Sequence, residues 1–231
     1  MAFTDTLSTI QRNHVIVLQD GYSRQEDGDE TSMRANCTST LIRCRDGTNV
    51  IVDTMTAWDG ERLCSLLGDH GVGVDNVDVV VCSHGHSDHI GCNYLFQNAR
   101  MHLVGSCASY RDLYLNHFSS EDQDEELALD SNAEVVVRRT PGHTHSCVSV
   151  IVDNSQLGGR VGITGDLFER REDIEDESIW KDAGSECVKL QRKERCKMAH
   201  LCDFIVPGHG PMFSVIASMR DKLKQDADLS T

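Results

Sequence analysis

At 231 residues the chain is long enough for a sizeable core, and a single domain spanning residues 1–231 is the expectation. A net charge of −15, from 37 acidic against 22 basic side chains, argues against broad electrostatic attraction to nucleic acid or to an anionic membrane, though it does not exclude a phosphate-bearing substrate at a local site. No apolar run approaches the length of a membrane span and residues 1–12 lack the apolar centre of a secretion signal, so a soluble cytosolic protein is expected, its ten cysteines reduced and not bridged.

Taken in order, residues 14–18, 38–43 and 50–53 read as three strands, separated by an acidic loop at 25–31 and a turn at Asp46-Gly47. Helical spacing follows over 60–69, with Asp59 as N-cap, Leu63, Leu66 and Leu67 on one face, and Gly71 as the stop. A β-branched run at 77–82 is the composition of a buried strand. A short helix is expected around 92–97, a strand at 101–105 and a helix over 108–118. A second acidic loop at 120–126 precedes strands at 135–137, 148–153 and 161–164. A third acidic stretch, 169–177, reads as a solvated loop. Residues 186–201 have helical composition, 204–206 form a last short strand, and 213–225 an amphipathic closing helix. Strands bracketing helices in both halves predict an α/β architecture of layers, helices outside and sheets within.

The chemistry concentrates at Ser83-His84-Gly85-His86-Ser87-Asp88-His89, four potential metal ligands within six residues, directly after the 77–82 strand. Alternation along an extended backbone points His84 and His86 to one side, and Gly85 and Ser87 let the chain turn so that Asp88 and His89 face the same cavity. That arrangement suits two adjacent divalent metal ions; imidazole with carboxylate is the donor mix expected for Zn2+, with Fe or Mn also allowed. His143, Asp166 and His209 each follow a predicted strand beside glycine, so four loops converge on one site. His145 is expected to be exposed, and Cys187, Cys196 and Cys202 with His200 to be ordinary thiols, their spacing fitting no common zinc knuckle. There is no Gly-x-Ser-x-Gly elbow, and Gly71-Val72-Gly73 lacks the third glycine of a dinucleotide fingerprint, Asn76 standing in its place.

The series Asp53, His84-x-His86-x-Asp88-His89, His143, Asp166 and His209 resembles the metallo-β-lactamase-fold hydrolases, in the branch similar to glyoxalase II. Residues 51–54 with Trp58, 165–170, 176–180 and 206–213 narrow the resemblance to members regarded as endoribonucleases acting in the 3′-end processing of histone pre-mRNA. The resemblance implies a four-layer αββα sandwich with the site at one edge of the two sheets. It implies that His84, His86 and His143 hold a first metal, that Asp88, His89 and His209 hold a second, that Asp166 bridges them, and that Asp53 orients the ligand loop without touching metal. An anionic bridge lets two dications approach to about 3.5–4 Å, close enough to share and activate one water. Asp88 is then the residue expected to orient that water and move its proton. An RNA substrate, a homodimer and a nuclear as well as cytosolic location are also implied, with a small thioester or ester as the alternative substrate.

Overall fold

The computed structural model describes residues 11–118 and 125–229. Its first half builds a mixed sheet from β1 (His14–Gln19), β4 (Ser39–Arg43), β5 (Asn49–Val52), β6 (Val79–Cys82), β7 (Met101–Val104), β8 (Cys107–Tyr110) and β9 (Leu113–Leu115), hydrogen-bonded in the order β1-β4-β5-β6-β7-β8-β9. The second half builds another from β10 (Glu126–Ala128), β11 (Val135–Arg139), β12 (Val148–Val152), β13 (Val161–Gly165), β14 (Phe204–Pro207) and β15 (Phe213–Ser214), in sequential order. β2 (Tyr22–Glu26) and β3 (Asp29–Asn36) form a separate antiparallel hairpin.

Why the sheets stack follows from alternation. Val50, Val52, Val79 and Val81 point one way and pack against Val135, Val137, Val150 and Ile163 of the other sheet. The opposite faces carry their own apolar layers. Leu41, Ile51 and Val80 meet Leu63 and Leu67 of α1 (Gly60–Asp69). Two short helices, α2 (Ser87–Ile90) and α3 (Ser178–Asp182), come next in the chain. Val136, Ile151 and Ile205 meet Met198 of α4 (Val188–Leu201) and Leu223 of α5 (Ala217–Asp228). Each fully buried Val or Leu contributes up to about 1.5–3 kcal/mol, so two sheets buried on both faces form the stable middle of an αββα sandwich. β5, β6 and β7 run parallel, as do β13 and β14, which brings their carboxyl ends, and the loops that follow them, to defined edges.

Several elements differ from expectation. The acidic loop at 25–31 lies inside the β2–β3 hairpin, whose strands are polar on both faces and so lack an apolar alternation to betray them. The helix expected over 108–118 is instead a tight hairpin, β8 and β9, turned at Arg111 with φ 55°; Tyr110, Leu113 and Tyr114 are strand formers that happen to recur at helical spacing. The 92–97 helix is a single 3-10 turn, Asn93–Leu95. The closing helix begins at Ala217, because Phe213 and Ser214 pair with β14 first. Asp59 occupies the N-cap of α1 but turns its carboxylate back to accept from Thr56 and Asn36, not from the helix. Residues 120–124 of the second acidic loop lie outside the described residues. The third acidic stretch is not solvated throughout: Glu169 is 1% and Asp173 0% exposed.

All ten cysteines are free. Among the described residues no helix is long and apolar enough to cross a membrane.

Candidate metal centre

Each of the seven expected ligands sits just past the end of a strand or in the short helix that follows one. β6 ends into Ser83 and His84, α2 (Ser87–Ile90) carries Asp88 and His89, and His86 caps it. β11 leads to His143, β13 to Asp166 and β14 to His209. Glycine is required at two of these exits. A Cβ at Gly208 would overlap Asp166 Oδ1, and Gly165 at φ 50° would drive one into Ser83 Oγ.

The side chains gather into two groups. His84, His86, His143 and Asp166 form one, and Asp88, His89 and His209 the other, each with ligand atoms within 4.8 Å of one another. In the first, His84 Nε2 and His143 Nε2 lie 2.8 and 3.1 Å from His86 Nδ1. Asp166 Oδ2 lies 3.5 Å from His84 Nε2, 3.4 Å from His143 Nε2 and 3.3 Å from His209 Nε2. Its Oδ1 is 3.3 Å from His89 Nε2, so one carboxylate faces both groups. Asp88 Oδ2 stands 3.8 Å from both His89 Nε2 and His209 Nε2. Burial would raise the Asp166 carboxyl, but His209, His89 and His84 around it hold it well below the usual carboxylate range.

A cation fits this arrangement. Asp88 Oδ2, His89 Nε2 and Asp166 Oδ1 are buried without hydrogen-bond partners, the two oxygens 3.8 and 3.3 Å from the nitrogen. Such a set is costly unless a positive ion occupies the middle. The outward nitrogens are held as ligating imidazoles require. His89 Nδ1 donates to Asp53 Oδ2 at 3.0 Å, and His209 Nδ1 donates to the Asn36 carbonyl at 3.1 Å, leaving each Nε2 free to ligate. Asp53 accepts also from Ser83 N–H at 2.7 Å and from its hydroxyl at 3.0 Å, which fixes the start of the ligand loop. Asp53 itself sits at φ 58°, a left-handed conformation tolerated at an aspartate and characteristic of strained functional positions.

Composition in the acidic stretch hid Glu169. Its carboxylate lines the same cavity as Asp88, Asp166 and His209, and burial, with Asp166 beside it, pushes its carboxyl up to about 8. Ser83 and the Asn36 carbonyl were likewise not predicted, since a hydroxyl and a backbone oxygen carry no motif. His145 is exposed, as expected, its N–H bonded to Glu186. Of the cysteine group only Cys196 approaches His200, at 3.7 Å within one helix, while Cys202 is buried.

A sandwich of two sheets with histidines and carboxylates at one edge defines a class, and residues 33–222 match the model of the Metallo-beta-lactamase superfamily: the chain belongs to that superfamily. Among curated proteins it is similar to Metallo-beta-lactamase domain-containing protein 1 of Xenopus laevis, 37% identical over 202 residues that cover 87% of this chain and 82% of that protein. The mouse protein of the same name is 34% identical over 241 residues, covering 93% and 88%. Among solved structures, a Thermotoga maritima protein described as a metallo-beta-lactamase superposes with a TM-score of 0.62 at 19% identity, covering 88% of this chain and 99% of its own. A metallo-beta-lactamase from Pseudomonas aeruginosa in its mono-zinc form gives 0.58 at 16% identity, covering 91% and 88%. The chain is thus a metallo-β-lactamase-fold, metal-dependent hydrolase with a His/Asp cluster able to hold metal.

Proposed function

We propose that the chain is a dinuclear hydrolase of RNA phosphodiester bonds, acting at the 3′ end of histone pre-mRNA as a homodimer in cytosol and nucleus. The observation that carries the dinuclear reading is Asp166, whose one carboxylate reaches both ligand groups, Oδ2 beside His84, His143 and His209 and Oδ1 beside His89. His84, His86 and His143 would hold one ion, Asp88, His89 and His209 the other, with Zn2+ as the expected metal and Fe or Mn as alternatives. When bound, the ions supply Lewis acidity and an activated water. The chain's own contribution is positional. Asp53 and the Asn36 carbonyl fix two imidazoles, and half-buried Asp88 lines the cavity, where its carboxylate can orient the attacking water and take its proton.

Support for an extended anionic substrate comes from the groove of ≈ 490 Å³ beyond the cavity, which shares Ser23, Met33 and Ala183 with it and is bordered by Arg24 and Arg170. In a chain of net charge −15 that is a local exception of the sign a phosphodiester needs. The inner cavity favours a second reading, a small thioester or ester. It measures ≈ 220 Å³, has Met33, Ala35 and Ala183 in its wall, and includes no Lys or Arg among its described lining residues.

The deciding experiment incubates metal-analysed protein with a labelled histone pre-mRNA 3′ fragment and, in parallel, with glutathione thioesters. Discrete metal-dependent RNA cuts are expected, with at least a ~100-fold loss in His86→Ala, a variant that keeps the fold because His86 is exposed. Thioester turnover with intact RNA would transfer the assignment to the second reading, and full activity in His86→Ala would remove the metal mechanism.

A further inference from the structure

The cavity holds one more carboxylate than the seven-residue set uses. We propose that Glu169 is itself a metal ligand at the second position, giving that position an oxygen-rich donor set that selects Mn2+ or Fe2+ over Zn2+. The inference rests on the dinuclear reading above and extends it to the metals' identity.

Four observations converge on this residue. Ligand atoms of Asp166, Glu169 and His209 lie within 4.8 Å of one another, the spacing of groups that can share an ion. Glu169 is 1% exposed and its Oε1 has no hydrogen-bond partner. It is also aimed: its N–H donates to Asp173 Oδ2 at 2.7 Å, its carbonyl accepts the His209 N–H at 2.8 Å, and its Oε2 accepts the Ser23 hydroxyl at 3.1 Å. Finally, no Lys or Arg among the described residues forms an ion pair with Glu169 or with Asp166. Burying two carboxylates side by side without a cation costs several kcal/mol, whereas a dication between them and His209 satisfies both.

The two positions then differ in kind. The first presents three imidazoles and one Asp166 oxygen, four donors with a nitrogen majority, which suits tetrahedral Zn2+. The second draws on two groups that share His209, Asp88 with His89 and His209 and Asp166 with Glu169 and His209, so an ion held between them would meet three carboxylates and two imidazoles, more than tetrahedral zinc uses. Mn2+ and Fe2+ would accept such an oxygen-rich, higher-coordinate set; selection works through ligand number and hardness, because raw affinity alone would favour zinc. Ser23 orients the Glu169 carboxylate as outer partners orient metal ligands generally, and it ties the β2–β3 hairpin to the second ion.

The test measures metal binding, not turnover. Wild type and Glu169→Gln are titrated with Mn2+ against a chelating indicator and followed by electron paramagnetic resonance, with Zn2+ content by mass spectrometry. Wild type is expected to hold Zn2+ at one position and Mn2+ at the other, and the variant to bind Mn2+ at least about 10-fold more weakly while keeping its Zn2+. Cobalt(II) at the second position reads the ligand directly: its weak high-coordination visible bands should intensify when Glu169 is lost. Ser23→Ala, which removes only the orienting hydroxyl, should leave that cobalt spectrum unchanged. Far-ultraviolet circular dichroism and the shorter Glu169→Asp variant separate ligand loss from unfolding, Asp being expected to restore part of the Mn2+ affinity. Two ions bound in Glu169→Gln with unchanged manganese affinity and cobalt spectrum would overturn the Glu169 assignment alone. A wild-type protein that binds one ion or none would overturn it together with the dinuclear reading.

Discussion

Asp53 shows how much one side chain at a strand end can govern. Its carboxylate takes Ser83 N–H, the Ser83 hydroxyl and His89 Nδ1, all within 3.0 Å, while its backbone holds a left-handed turn. Replacing it with Asn keeps the size but puts an N–H₂ where an acceptor is needed, so His89 loses the partner that fixes its tautomer. Asp53→Asn is expected to weaken metal binding about 10–100-fold at the position His89 serves. Chelator competition measures this, and an affinity within twofold of wild type would remove Asp53 from the positioning role. The identity of Asp53 was legible because it follows an apolar strand within a recognisable series. Glu169 was not, because a carboxylate among acidic neighbours looks solvated until the fold shows which of them are covered.

At the scale of elements, α4 is held by a buried ion pair as well as by the apolar contacts of Met198 and Ala199. Arg195 and Asp173, 1% and 0% exposed, meet through Nη2–Oδ1 at 2.6 Å and Nη1–Oδ2 at 3.0 Å. The guanidinium also donates to the Leu167 carbonyl at 2.8 Å and lies 4.2 Å over the Phe168 ring, so its donors and its flat face are both used. Asp173→Ala leaves that cation buried and unpaired, and a loss of about 3–5 kcal/mol is expected in denaturant unfolding. A loss under about 1 kcal/mol would mean that water or a rearranged partner satisfies Arg195. Because Asp173 also binds the Glu169 N–H, this element ties helix packing to the site. Sequence pattern located α4 within two residues at its start, since helix-forming residues run through it. It misread β8 and β9, where neighbouring-strand hydrogen bonds settle a choice that spacing leaves open.

For the whole molecule, the site is assembled from loops of both sheets: His84, His86, Asp88 and His89 from the first, His143, Asp166 and His209 from the second. An ion held between them therefore bridges the two halves and stabilises the folded chain by mass action. At a free metal concentration about 1,000 times the dissociation constant this is about 4 kcal/mol, or roughly 10 °C in melting temperature for a chain of this size. Chelation should lower the thermal midpoint by that order, and re-addition of metal should restore it. An unchanged midpoint with verified metal loss would show that the sandwich alone carries the stability. The sequence by itself pointed to the seven candidate ligands, the alternation of strands and the layered fold class, because histidine spacing and two-residue periodicity are local properties of the chain. Tertiary structure alone decided that Asp166 faces both ligand groups, that Glu169 is buried beside them and that the β2–β3 hairpin reaches the site through Ser23. Each of these depends on which distant segments shield one another from water, and no local pattern records that.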